Sequence, residues 1–295
     1  MATPPIIAAP AKQKWRWLNR LRWATVVYLL LVLAGCLGHL PDHLILHPTT
    51  DAMDAKGAER EVLTLANGDA LELWHARSPG AKTVEPVAFV MYFVGNADRA
   101  ERWATFNAAQ WGDKPVELVG MNYPGFGGST GPAYLEKIGP AALAAYDAVR
   151  AKAGSRPIFV QANSVGTTAA LCVLARRDVA GATIQNPPPL KRLILQHHGW
   201  WNLWLLAGPA SLAIPSDLDS LANATRAKAP AVFVLSEKDE VVPVQFQRMI
   251  LAKYAGPTHL IDLPNATHNT GMDQAAWDEF GRQVEWLWAT AGLAH

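Results

Sequence analysis

The chain is 295 residues long, half of them hydrophobic, with 26 Lys and Arg against 25 Asp and Glu, enough for one large domain with a substantial core. Five of the bases (Lys12, Lys14, Arg16, Arg20 and Arg22) and none of the acids fall in the first 35 residues, which leaves 21 bases against 25 acids in the rest. That mildly acidic body excludes the basic face needed to bind nucleic acid, and two cysteines, Cys36 and Cys172, leave no pair for a zinc site.

The basic start runs into the apolar stretch from Ala24 to Val32. A charged region followed by a short apolar one is the pattern of a secretory signal. Leu33-Ala34-Gly35-Cys36 comes next and matches the lipobox of bacterial lipoprotein signals, in which the cysteine is lipidated and becomes the first mature residue. Cys36 is therefore the candidate lipidation site. Lipid chains there hold the body at a membrane, each buried methylene contributing about 0.8 kcal/mol. The competing reading is an uncleaved helix. Trp23 to Leu40 is nearly continuously apolar, although Gly35, Gly38 and His39 interrupt it, and it approaches the roughly 20 residues of a span. Both readings export the body and leave the basic flank in the cytoplasm. The expected locations are the periplasmic face or outer membrane as a lipoprotein, or the inner membrane through the helix.

Beyond a short tether, strands and helices alternate. Glu61–Leu65 and Ala70–Trp74 flank Asn67-Gly68-Asp69, a hairpin signal. Val87–Val94 is a continuous apolar run, as in a buried parallel strand. A helix is expected from Arg99 to Trp111, a strand at Val116–Met121 and an amphipathic helix from Tyr134 to Lys152. Further strands are expected at Ile158–Val160, Ala182–Gln185, Ala231–Leu235 and Thr258–Leu263. Helices follow near Thr167–Arg177, Val244–Tyr254 and Asp273–Ala291, the last with apolar residues at Ala276, Phe280, Val284 and Leu287. An antiparallel start followed by strand–helix units predicts an α/β fold with a mostly parallel, doubly wound sheet of about eight strands. Cys172 falls in the apolar helix after Ser164 and reads as a small buried hydrophobe.

The most informative stretch is Gln161-Ala162-Asn163-Ser164-Val165-Gly166. It joins a strand to a helix, with small residues two places either side of the serine. That spacing suits a sharp, strained turn that holds a hydroxyl clear of the backbone. A serine hydroxyl is a poor nucleophile until a base takes its proton, and the base needs an acid to hold its tautomer. Both should lie at later strand ends, where ligands gather in such folds. The strand ending at Leu235 leads into Ser236-Glu237-Lys238-Asp239-Glu240-Val241-Val242-Pro243, which makes Asp239 the candidate acid. The last strand leads to Pro264-Asn265-Ala266-Thr267-His268, which makes His268 the candidate base. The order Ser, Asp, His is that of the α/β-hydrolase pattern.

The sequence resembles the α/β-hydrolase superfamily, in particular its serine-aminopeptidase-like and monoglyceride-lipase-like branch, from about Glu61 to Trp288. Two loops carry the resemblance beyond the triad. Phe93-Val94-Gly95-Asn96-Ala97 is similar to the His-Gly-Asn-Ala loop after the third strand, and Asn122-Tyr123-Pro124-Gly125-Phe126-Gly127-Gly128-Ser129 to the Tyr-Arg-Gly-Tyr-Gly-x-Ser loop after the fourth. The resemblance implies an oxyanion hole made by the backbone N–H groups of Asn96 and Val165. Two positions depart from the pattern: Val94 stands where the family has histidine, and Ala162 where it has glycine.

The resemblance implies a serine hydrolase that cleaves a small-molecule acyl ester or thioester and needs no metal or other cofactor. An aminopeptidase or amidase is the enzymatic alternative, although no acid stands out to bind a free α-amine. A membrane-tethered scaffold without turnover is the non-enzymatic one. Residues 1–35 then form a signal peptide or anchor, 36–60 a tether and 61–295 the catalytic domain. Within it, residues 187–230 form a short lid insertion. Its stretch His197–Leu206 holds three tryptophans, which either face lipid beside the site or pack on the sheet edge.

Overall fold

The computed structural model describes residues 11–196 and 205–293. It separates into two units, residues 1–41 and 42–295. In the first, α1 (Ala11–Leu37) carries Cys36 exposed in its last turn. Its segment Trp15–Leu37 is long and apolar enough to cross a membrane. A short helix, α2 (Leu40–Ile45), follows.

Among the described residues of the second unit, eight strands form one sheet in the order β1-β2-β4-β3-β5-β6-β7-β8. Strands β1 (Glu59–Thr64) and β2 (Ala70–Arg77) are the antiparallel arms of the expected hairpin. Gly68 turns it at φ +86°, a left-handed conformation that a Cβ disfavours. β2 also pairs antiparallel with β4 (Val116–Met121). All later pairings are parallel and run through β3 (Ala88–Phe93), β5 (Ile158–Asn163), β6 (Gly181–Gln185), β7 (Ala231–Ser236) and β8 (Thr258–Leu263). β3, β4 and β7 are buried along their whole length. Covered on both faces, they have no solvent side to alternate with, hence the unbroken apolar sequence of β3 and of Ala231–Leu235 in β7.

The helices after the strands are α3 (Ala100–Ala109), α4 (Leu135–Ala153), α5 (Gly166–Leu174), α6 (Leu190–Gln196), α7 (Ala207–Leu212), α8 (Ser220–Ala224), α9 (Val244–Leu251) and α10 (Gln274–Thr290). Trp288 of α10 stacks on Phe159 of β5, ring centroids 6.0 Å apart, and Trp111 packs against the same ring. Cys172 is buried in α5, and burial pushes its thiol up to about 11. It is no nucleophile at neutral pH.

Part of the stretch read as a tether is built into the larger unit. Leu46 is 3% exposed and joins the core. The Leu135 N–H donates to Asp42 Oδ1 at 2.6 Å and the Gly127 N–H to the Thr49 carbonyl at 2.8 Å. The physical reason is mutual satisfaction: buried loop donors find acceptors on this segment instead of losing water unpaired. In the 187–230 insertion, Ser220 Oγ donates to the Pro188 carbonyl at 2.9 Å, and Arg176 at the end of α5 pairs with Asp217 at 2.9 Å. Residues 197–204, which hold the three tryptophans, lie outside the described residues.

Candidate active site

The turn from β5 to α5 puts Ser164 at φ +53°. A non-glycine residue there is strained and persists only where its surroundings over-determine it. Two restraints do so. The Ser164 N–H donates to the Gln185 carbonyl of β6 at 2.9 Å. At Gly166 an added Cβ would lie 2.3 Å from the Phe93 carbonyl oxygen and 2.4 Å from that of Val94. Glycine is thus required for the start of α5 to pass so close to the end of β3. Ala162, two residues before Ser164, is buried.

His268 and Asp239 meet this serine. His268 Nε2 lies 2.9 Å from Ser164 Oγ, and His268 Nδ1 lies 2.7 Å from Asp239 Oδ2. Asp239 is held tightly in the loop after β7. Its Oδ1 accepts from the Val241 N–H at 2.9 Å and the Val242 N–H at 2.7 Å, and its Oδ2 also accepts from Gln247 Nε2 at 3.1 Å. Its side chain has no solvent exposure. A carboxylate so enclosed has one open direction, toward the imidazole.

The loop after β3 runs beside the serine: a Cβ built on Gly95 would lie 3.7 Å from Ser164 Cβ. Val94 is fully buried, and its carbonyl accepts from Tyr123 Oη at 2.8 Å. The N–H groups of Asn96 and Val165 have no acceptor among the described residues. Behind His268 a cavity of about 420 Å³ reaches between α3, α10 and the sheet, lined by Trp103, Gln161, Asn163, Thr183 and Trp277 among others. Gln161 donates to Asn107 Oδ1 and Gln110 Oε1 at 2.9 and 2.8 Å, whereas the buried Oδ1 of Asn163 has no partner among the described residues. Among the described residues no cluster of three His, Cys, Asp or Glu could hold a metal.

Three supporting residues escape a reading of sequence alone. Asn186, at φ +49°, accepts from the Ser236 N–H at 3.1 Å and donates to the His268 carbonyl at 3.5 Å, which joins the ends of β6, β7 and the His268 loop. Gln247 is a fully buried amide in α9, and Tyr123 braces Val94. A glutamine between Phe246 and Ile250, both buried in α9, is a signal that could have pointed to Gln247.

No family model and no curated protein matches the sequence. Solved structures match over most of the chain. The Pyrococcus furiosus esterase Pf2001 is 14% identical, with a TM-score of 0.61 over 83% of this chain and 96% of that one. An acetyl xylan esterase from Paenibacillus sp. R4 is 16% identical, with a TM-score of 0.61 over 83% and 98%. Acetyl xylan esterase 1 from Thermoanaerobacterium sp. JW/SL YS485 is 14% identical, with a TM-score of 0.58 over 81% and 87%. The chain has the α/β-hydrolase fold. Within the α/β-hydrolase fold, Ser164 occupies the strand-to-helix turn after β5, and Asp239 and His268 occupy the loops after β7 and β8.

Proposed function

We propose that the protein is a serine hydrolase that cleaves a small-molecule acyl ester, of the carboxylesterase, lipase or thioesterase kind. One observation carries this reading: the unbroken hydrogen-bond chain Ser164–His268–Asp239, at 2.9 and 2.7 Å. The esterases among the fold's solved relatives support it in kind, and the two loops that resemble the serine-aminopeptidase-like and monoglyceride-lipase-like branch fit a serine hydrolase.

Ser164 Oγ attacks the acyl carbonyl carbon as His268 Nε2 takes its proton. Asp239, fixed by three N–H donors, holds the proton of His268 on Nδ1 and stabilises the imidazolium. The N–H groups of Asn96 and Val165 receive the developing oxyanion. Collapse expels the alcohol or thiol, which leaves with the proton from His268 Nε2. Water, deprotonated by the same nitrogen, then attacks the acyl-serine and releases the acid. The test is turnover of short-chain p-nitrophenyl esters. The wild type hydrolyses them above the buffer rate and Ser164→Ala does not; equal turnover by Ser164→Ala overturns the assignment.

We further propose that the N-terminal unit is a signal or anchor that keeps the catalytic body at a membrane after export, with Cys36 as its lipidation site. The apolar segment Trp15–Leu37 and the exposed cysteine in its last turn support this. Cys36→Ser should release or mislocalise the protein on membrane fractionation. Unchanged attachment in that variant favours the uncleaved helix.

A further inference from the structure

We propose that residues 42–51 form a strap that aims the Asn96 N–H at the oxyanion, with the Asn96 side chain as its clasp. This rests on the serine-hydrolase reading above.

A backbone donor lowers the barrier only when it is held at the position the charged oxygen will take. The loop that carries this donor contains Gly95, and Ala97 sits at φ +56°, so it needs external support. From one side Tyr123 Oη holds the Val94 carbonyl at 2.8 Å. From the other side the Asn96 amide reaches the strap. Its Nδ2 donates to the Ile45 carbonyl at 2.6 Å, and its Oδ1 accepts from the His47 N–H and the Ala97 N–H, each at 3.0 Å. A carbonyl only accepts and an N–H only donates, so these partners set the direction in which the amide, and the backbone it is attached to, must face.

The strap is held at further points besides the Asn96 clasp. Leu46 is 3% exposed in the core. Asp42 Oδ1 accepts from the Leu135 N–H at 2.6 Å. The Thr49 carbonyl accepts from the Gly127 N–H at 2.8 Å and from Arg99, whose guanidinium also donates to the Asp51 carbonyl. Arg99 is itself 2% exposed and paired with Glu101 at 3.1 Å. The loops after β3 and β4 and the start of α4 therefore share one brace, and the Asn96 side chain is a positioning group for its own N–H.

The test uses the full-length protein with p-nitrophenyl butyrate as substrate and a trifluoromethyl ketone as a mimic of the oxyanion. Removing an oxyanion donor outright costs about a hundredfold to a thousandfold in kcat. Asn96→Ala keeps the donor and loses its aim, so kcat should fall roughly tenfold to a hundredfold, with KM within about twofold. Ketone affinity should fall by the same factor as kcat. Leu46→Ala loosens the strap between the two residues that hold the clasp, leaves Asn96 intact and should shift both readouts in the same direction; it decides the matter if Asn96→Ala does not fold. A kcat for Asn96→Ala within twofold of wild type, or a fall in kcat with ketone affinity unchanged, overturns the strap. A wild type that labels with a fluorophosphonate while Asn96→Ala retains full kcat defeats the strap alone. A wild type without turnover defeats the strap and the hydrolase reading together.

Discussion

Replacing Asp239 by asparagine should abolish turnover while leaving the fold intact, and the socket around the carboxylate shows why. Two backbone N–H groups, of Val241 and Val242, point into Oδ1 at 2.9 and 2.7 Å. An amide nitrogen cannot sit against two donors, so the asparagine carbonyl must take that place. Its NH2 group is then forced into the position of Oδ2, which faces His268 Nδ1 at 2.7 Å and Gln247 Nε2 at 3.1 Å. Donation from the amide requires His268 Nδ1 to accept, which moves the ring proton to Nε2. His268 then donates to Ser164 Oγ, 2.9 Å away, and cannot take its proton. A tautomer reversed in this way lowers kcat by about 10⁴-fold, close to 5.5 kcal/mol of barrier at about 1.36 kcal/mol per tenfold. Steady-state hydrolysis of p-nitrophenyl butyrate measures it, with thermal unfolding run in parallel as the check on folding. A folded Asp239→Asn within tenfold of wild-type kcat would refute the assignment of Asp239 as the orienting acid.

Two other substitutions probe the frame around the site. Gly166→Ala forces a Cβ to within 2.3 and 2.4 Å of the Phe93 and Val94 carbonyl oxygens. Backbone must yield, so stability should fall by about 2–3 kcal/mol and activity with it; urea unfolding at wild-type stability would contradict the close approach. Glu117 governs an acid-labile part of the stability. Burial raises its carboxyl, but hydrogen bonds from His75 at 2.8 Å and Lys152 at 2.7 Å outweigh burial and lower it to about 2, below the ordinary 4.5. A lowered folded-state value means stability that is present above pH 4.5 and lost as the pH falls toward 2. A shift of this size corresponds to about 3 kcal/mol. Unfolding free energies measured from pH 6 to pH 2 should drop less steeply in Glu117→Gln than in wild type, and parallel curves would exclude the role.

Much of this frame is legible in sequence because its signals are local. Ala88–Phe93 and Ala231–Leu235 are apolar without interruption because both faces of their strands are covered. Ser164, Asp239 and His268 fall at strand ends in an order that one topology brings together. What stays hidden depends on contacts distant in sequence. Asn186 joins the ends of β6 and β7 to the His268 loop, and Asn96 meets Ile45 and His47 some fifty positions earlier. Residues 42–51 fall within the stretch 36–60 that reads as a tether. Only the donors they satisfy, at Leu135, Gly127 and Arg99, show that they belong to the body.

The central claim is that Ser164 is a nucleophile activated through His268. A fluorophosphonate reacts covalently with such a serine and with little else. The decisive measurement is mass spectrometry of the protein after exposure to the probe at neutral pH. The account predicts one adduct per chain, on the peptide that contains Ser164, absent in Ser164→Ala and formed far more slowly in His268→Ala. An unlabelled wild type, or equal labelling of Ser164→Ala, would contradict it.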